Sequence, residues 1–185
     1  MRFSFGSVSS DRFWIRIFPE VEEVAMIWKK VTKVAATAGS AEGGTALNAF
    51  DNALLAAGIG NVNLVRVSSI VPPDVDVVDL PQIKPGSIVP TAYAAITSET
   101  PGETVAAAVG YALPHDRTKA GVIMEYHDHA DRAGAERAIR AMLTEAFAVR
   151  GEQIRELRVV AAEHRVRKLG CAVAAIALLS EDDIL

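Results

Sequence analysis

Residues 171–179, CAVAAIALL, form an uninterrupted apolar run. The run is too short to cross a bilayer, and charged residues bracket it. It predicts a buried strand, and a strand apolar on both faces belongs to a sheet covered on both sides. Residues 62–67 show the same character, with β-forming apolar residues on both faces. Further strands are predicted at 31–38, 91–97, 121–126 and 154–166. Strands alternating with a few helices imply a mixed α/β or α+β sandwich, and the pattern alone does not choose between them.

Three segments predict helices. Thr45 suits an N-cap, Leu47, Phe50, Asp51 and Leu54 share one face, and Gly58 is placed to end the helix. Thr100-Pro101-Gly102-Glu103 has the capping-box spacing with Pro at the first helical position, so a second helix is expected through the alanines to about Leu113. Asp131 caps the longest, which reaches Arg150 before Gly151 with Ile139, Met142, Leu143, Ala146 and Phe147 on its apolar face. Residues 39–44 read as a loop, and the five prolines between Pro72 and Pro90 make that stretch loop-rich.

A chain of 185 residues, half of them hydrophobic and 23% charged, forms one globular domain. A net charge of -4 argues against a nucleic-acid partner. The single cysteine, Cys171, excludes an internal disulfide or a multi-cysteine metal site and reads as a small buried hydrophobe. No segment suits a membrane span. The N-terminus, interrupted by Asp11, Arg12 and Arg16, is a poor signal peptide, so a cytoplasmic protein is expected. Residues 1–30 differ from the rest. They hold Trp14, Trp28 and a Phe13–Phe18 apolar patch, and read as an extra strand or an arm ahead of a domain at 31–185.

Chemistry concentrates around NVNLVRVSSIVPP, residues 61–73, where Ser68 and Ser69 follow a strand and precede two prolines. An ordinary strand-end turn is one reading. Asn63 reads as a strand-edge amide, Asp51 as a helix acid, and Glu125 as an isolated carboxylate in an apolar strand, where desolvation favours the neutral acid. The blocks AGSAEGGTALNAFDNALLAAGIGNVNLVRVSSIVPP, VPTAYAAI, PGETVAAAV, VIMEY and EHRVRKLGCAVAAIAL, in that order from about Val31 to Leu179, resemble the pyruvoyl-dependent arginine decarboxylase family.

The resemblance implies a four-layer αββα sandwich, assembled as trimers or hexamers, that cuts itself between Ser68 and Ser69. The second serine would become a covalent pyruvoyl cofactor. A decarboxylase must stabilise a carbanion at the α-carbon, side chains offer no electron sink, and a carbonyl built from the chain supplies one. Cleavage would start with attack of the Ser69 hydroxyl on the Ser68 carbonyl, which calls for strained geometry and an oxyanion donor. The resemblance gives Asn63 an assisting role and makes Glu125 the general acid that reprotonates the α-carbon. It places Asp51 against the guanidinium of L-arginine, with Leu47, Gly60 and Val62 beside the substrate. The product would be agmatine with carbon dioxide. Rival readings are another amino acid as substrate, or an uncleaved homologue serving as an assembly or binding protein. The triplet His127-Asp128-His129 is a weak metal-ligand pattern, better read as a polar loop before a helix cap. Glu163 and His164 lie in a matching block with no derivable role, and Arg155, Arg158, Arg165 and Arg167 read as a solvated strand face or subunit contacts.

Overall fold

The long apolar runs become inner strands of two stacked sheets. The structure, a computed structural model, describes residues 29–185, so the Phe13–Phe18 patch and both tryptophans lie outside the described residues. The first sheet holds β1 (Lys33–Glu42), β2 (Asn63–Arg66), β4 (Asp76–Val78), β5 (Ile88–Ser98) and β9 (Gly170–Leu179), in the order β2-β5-β9-β1-β4. The second holds β3 (Ile70–Val71), β6 (Thr104–Pro114), β7 (Gly121–Asp128) and β8 (Ile154–Arg165), in the order β3-β7-β6-β8. Helix α1 (Ala46–Ala56) covers the outer face of the first sheet and α2 (Arg132–Arg150) that of the second. This is the expected four-layer αββα sandwich.

The period-2 rule explains why β9 and β6 are apolar throughout. Along β9, Ala172, Ala174, Ile176 and Leu178 face the second sheet, while Cys171, Val173, Ala175, Ala177 and Leu179 face α1. Along β6, Val105, Ala107, Val109, Tyr111 and Leu113 face the first sheet, while Ala106, Ala108 and Ala112 lie under α2. Both strands are buried along nearly their whole length.

The helix expected at 100–113 is a turn followed by strand β6. Glu103 N–H donates to Thr100 C=O at 3.2 Å, and Gly102 has φ of 87°. Pro at the second position and a left-handed Gly at the third make this a type II turn, and Pro-Gly serves that geometry better than a helix start. The alanine-rich sequence then suits a strand squeezed between a sheet and a helix. Strand β1 likewise continues through Glu42, across part of the expected loop.

Helix α1 forms as expected, with Thr45 Oγ1 accepting from Asn48 N–H at 3.2 Å. Its buried face differs from the expectation. Ala49, Ala53, Leu54 and Ala57 are buried, whereas Leu47 is 74% exposed and Asp51 is exposed. Close approach selects the small residues. A Cβ on Gly39 of β1 would lie 2.5 Å from Ala57 N, and one on Gly43 would lie 2.1 Å from Ala49 N. Gly39→Ala should therefore force the helix off the sheet and cost about 1–3 kcal/mol, the usual scale of overpacking. Chemical denaturation checks this, and an unchanged midpoint would contradict it.

Helix α2 is capped at both ends as expected. Asp131 Oδ1 accepts from Gly134 N–H at 2.6 Å, and Gly151 closes the helix with φ of 66°. The carboxylate of Glu163 adds a second cap by accepting from Arg132 N–H at 2.7 Å. Among the described residues no helix is long and apolar enough to cross a membrane.

Candidate active site

The Ser68-Ser69 pair lies where the chain leaves one sheet and enters the other. Val67 N–H makes the last bond to the first sheet, at 3.3 Å from Thr91 C=O. Ile70 is the first residue registered in the second sheet, opposite Val122. The serines between them belong to neither named strand. Ser68 is exposed and Ser69 half-buried.

Strand β7 holds Ser69 at two points. Ile123 N–H donates to Ser69 C=O at 2.8 Å, and Ser69 Oγ donates to Glu125 Oε1 at 2.7 Å. Ile123 and Glu125 are two residues apart and so share a face of β7. Their cross-strand partners on β6, Tyr111 and Val109, lie in the core between the sheets. Glu125 is therefore turned inward to Ser69, half-buried, and is not a solvent-facing strand acid. Sequence reasoning found both residues and missed the Ile123 N–H, because a backbone anchor leaves no mark on residue type.

The backbone around Ser69 departs from expectation. Asp74 is the only non-glycine with a positive φ among the described residues, so neither serine of the pair lies in the left-handed region. Ile70 N–H instead donates to Ser68 C=O at 2.7 Å, closing a one-residue turn around Ser69. Such a turn with a negative φ at its centre is the relaxed, inverse form of the γ-turn.

The other expected residues gather elsewhere. Asn63 begins β2, and three further strand residues, Leu64, Val65 and Arg66, separate it from the segment that leads to the serines. Its Nδ2 donates to Gly86 C=O at 3.0 Å, so within one chain Asn63 is a strand-edge amide bonded to a loop rather than a partner of Ser69. Asp51, which shares a helix face with Leu47 by spacing, stands exposed on α1 between Leu47 and Leu55, which is 50% exposed. Gly60 lies against the Leu55 side chain in the loop after α1, and Val62 is half-buried just ahead of β2. One protomer thus joins Ser69 to Glu125, while Leu47, Asp51, Gly60, Val62 and Asn63 follow one another along the α1–β2 segment with no hydrogen bond to either.

The polar residues without an expected role are structural. Glu42, at the end of β1, accepts from Arg167 N–H at 2.9 Å, Lys168 N–H at 3.0 Å and Leu169 N–H at 3.2 Å, and lies 2.6 Å from His164 Nε2. The Arg167 N–H and the His164 ring, more than the remaining two amides, hold its carboxyl down from 4.5 to about 2. An ionised carboxylate only accepts, so His164 Nε2 is the donor. This latch ties β1 to the turn between β8 and β9. A depressed carboxyl stabilises the fold fully above its unfolded value of 4.5, and that contribution is lost as pH falls toward 2. Glu42→Gln should flatten the fall in stability across this window. Denaturation midpoints measured from pH 5 to 2 check it, and a variant curve parallel to the wild type would contradict it.

The His127-Asp128-His129 triplet is not the expected loop, since its first two residues end β7, and Asp128 and His129 are bonded to neighbours. Tyr126 OH donates to Asp128 Oδ2 at 2.9 Å, and His129 Nδ1 lies 2.8 Å from Glu103 Oε1. No grouping of three or more side chains suited to a metal occurs among the described residues. Of the arginines, Arg155 donates to Pro114 C=O at 3.3 Å, and Arg158 lies 3.4 Å from the exposed Asp79.

Comparison with known proteins bears on what this arrangement is for. The pyruvoyl-dependent arginine decarboxylase family (PvlArgDC) matches residues 33–183. A pyruvoyl-dependent arginine decarboxylase of Methanocaldococcus jannaschii is 48% identical over 159 residues, spanning 86% of this chain and 96% of its own. One from Methanococcus maripaludis is 47% identical over 145 residues, 78% of this chain and 88% of its own. One from Pyrococcus abyssi is 45% identical over 156 residues, 83% of this chain and 98% of its own. Among solved structures, a pyruvoyl-dependent histidine decarboxylase matches 54% of each chain at 16% identity with a TM-score of 0.46, too loose a likeness to bear on the fold. A family match over nearly all the described residues and relatives close to half identical along almost their full length lead to one conclusion: the chain belongs to the pyruvoyl-dependent arginine decarboxylase family.

Proposed function

We propose that this chain is a self-processing decarboxylase that converts L-arginine to agmatine and carbon dioxide. It is cut between Ser68 and Ser69, and its pyruvoyl group derives from Ser69. The single observation that carries the proposal is the 2.7 Å bond from Ser69 Oγ to Glu125 Oε1. Ser69 fits the group it would become. It lies outside both named sheet ladders, its carbonyl is fixed by Ile123, and its side chain meets a carboxylate. The pyruvoyl group supplies a carbonyl electron sink for the α-carbon that loses carbon dioxide.

Glu125 holds a proton beside the position of Ser69 Oγ and delivers it to the α-carbon after decarboxylation. Asp51 pairs with the guanidinium of the substrate, with Leu47, Gly60 and Val62 around its stem and Asn63 beside the reacting end. These residues stand apart from Ser69 within one protomer, so they act on the Ser69 of a neighbouring copy in a homo-oligomer, a trimer or a pair of trimers. The exposed stripe of Leu47, Asp51 and Leu55 on α1 supports this reading, because among the described residues it presents apolar surface around an acid with nothing on top.

Asp51→Asn tests the substrate. Cleavage should survive, since no guanidinium is present when the chain matures. Arginine binding should weaken by about 2–5 kcal/mol, the cost of leaving one member of a desolvated charge pair alone. Citrulline, which has the shape without the charge, should lose far less. Steady-state kinetics on both substrates decide it, and an equal proportional loss would make Asp51 structural. Coexpressing Asp51→Asn with Glu125→Gln should restore part of the activity, because some pairs of neighbours then join an intact Asp51 to an intact Glu125.

A further inference from the structure

We propose that the backbone N–H of Ile70 is the oxyanion donor for self-cleavage at Ser68–Ser69. The inference rests on the processing reading above and goes beyond it, by naming the group that stabilises the first transition state.

Three observations meet at this amide. Ile70 N–H lies 2.7 Å from the oxygen of Ser68, the carbonyl that Ser69 must attack. Its direction follows from the register. Ser69 C=O takes its bond from Ile123 N–H, which makes Ile70, paired with Val122, a position whose own N–H points away from β7. The amide is therefore free of the ladder and is committed to Ser68 instead. The nucleophile one residue on, Ser69 Oγ, is held by Glu125 at 2.7 Å. Nucleophile, proton acceptor and carbonyl-oxygen donor are all fixed to one edge of β7 by a turn centred on the nucleophile itself.

The step balances on these atoms. Ser69 Oγ bonds to the Ser68 carbonyl carbon, and the π electrons of the carbonyl gather on its oxygen. The hydroxyl proton passes to Glu125. Collapse of the adduct breaks the carbon–nitrogen bond, and the proton moves on to the departing nitrogen of Ser69, leaving an ester. In the uncut chain Ile70 N–H bonds a neutral carbonyl. In the adduct it bonds an oxyanion, and a charge-assisted bond is about twice as strong, so the donor favours the transition state over the ground state.

The test replaces the Ser69–Ile70 amide with an ester, by delivering the α-hydroxy analogue of isoleucine at position 70 through nonsense suppression. This removes one N–H and leaves every side chain in place. The reference is the same chain made by suppression with isoleucine itself. Intact mass over time follows the cut at Ser68–Ser69 and distinguishes it from hydrolysis of the new ester one residue later. The ester chain should mature roughly 10²-fold more slowly, the scale for losing one oxyanion donor. Equal rates in the two chains would overturn the inference while leaving self-cleavage standing. An uncut isoleucine reference would instead overturn the processing reading, and the inference with it. If the ester chain does not fold, hydrogen exchange in uncut Ser69→Ala decides the matter. Protection of the Ile70 amide supports the inference, and exchange at the rate of a free amide overturns it.

Discussion

Ser69→Ala yields one uncut chain of 185 residues that releases no carbon dioxide from arginine. This is the largest effect expected of any single substitution here. The change removes the nucleophile of the acyl shift and also the oxygen that must leave the β-carbon for a carbonyl to form at the α-carbon. No neighbour can substitute. Ser68 is exposed on the other side of the scissile bond, and Glu125 is positioned to accept a proton from Ser69 rather than to attack. The fold should persist, because the anchoring bond from Ile123 uses the backbone of residue 69 and the cores of the sandwich lie elsewhere. Denaturing electrophoresis and a thermal melt check both halves of the expectation. A normal pair of fragments from Ser69→Ala would end the assignment of Ser69 as the precursor of the cofactor.

Glu125→Gln separates maturation from turnover. Glutamine keeps the size of the side chain and an oxygen that accepts the Ser69 hydroxyl, so the serine stays oriented and the chain still cuts, more slowly for want of a carboxylate to carry the proton. The cleaved variant then lacks an acid at the α-carbon, and kcat should fall by ~10²-fold or more, the usual contribution of a general acid. The measurement is kcat on arginine, normalised to the cleaved fraction. Near-normal kcat would assign the proton delivery to another group. A chain that never cuts would make the carboxylate indispensable to processing and not only an accelerator of it.

What was legible in the residues, and what was not, follows from how each feature is encoded. Strands β2, β7 and β9 and the capped helix α2 were readable because period and caps are local. The segment from Thr100 to Leu113 misled for the same reason. Thr-x-x-Glu and Pro signal a helix start locally, while the left-handed Gly102 and burial between two layers, which make it a turn and a strand, are properties of the whole fold. On α1 the shared face of Leu47, Phe50, Asp51 and Leu54 is buried at Leu54 and partly at Phe50, and the packing distance set by Gly39 and Gly43 admits alanines beside them. Ser69 and Glu125 were each visible by type, and their meeting across 56 positions needed the structure. Asn63 and Asp51 stand in the positions the resemblance assigns, but within one chain Asn63 bonds Gly86 and Asp51 is exposed on α1, and residue type alone carries no signal of either placement.

The central claim is that Ser69 becomes a pyruvoyl group within this chain, and intact mass spectrometry of the purified wild-type protein tests it most directly. The account predicts two chains, one ending at Ser68 and one beginning at residue 69. The second should be lighter than its serine-started sequence by the mass of one ammonia, and should gain the mass of the reagent less one water when its terminal ketone forms a hydrazone. A single uncut mass, or a second fragment that carries an ordinary serine amine, would contradict it.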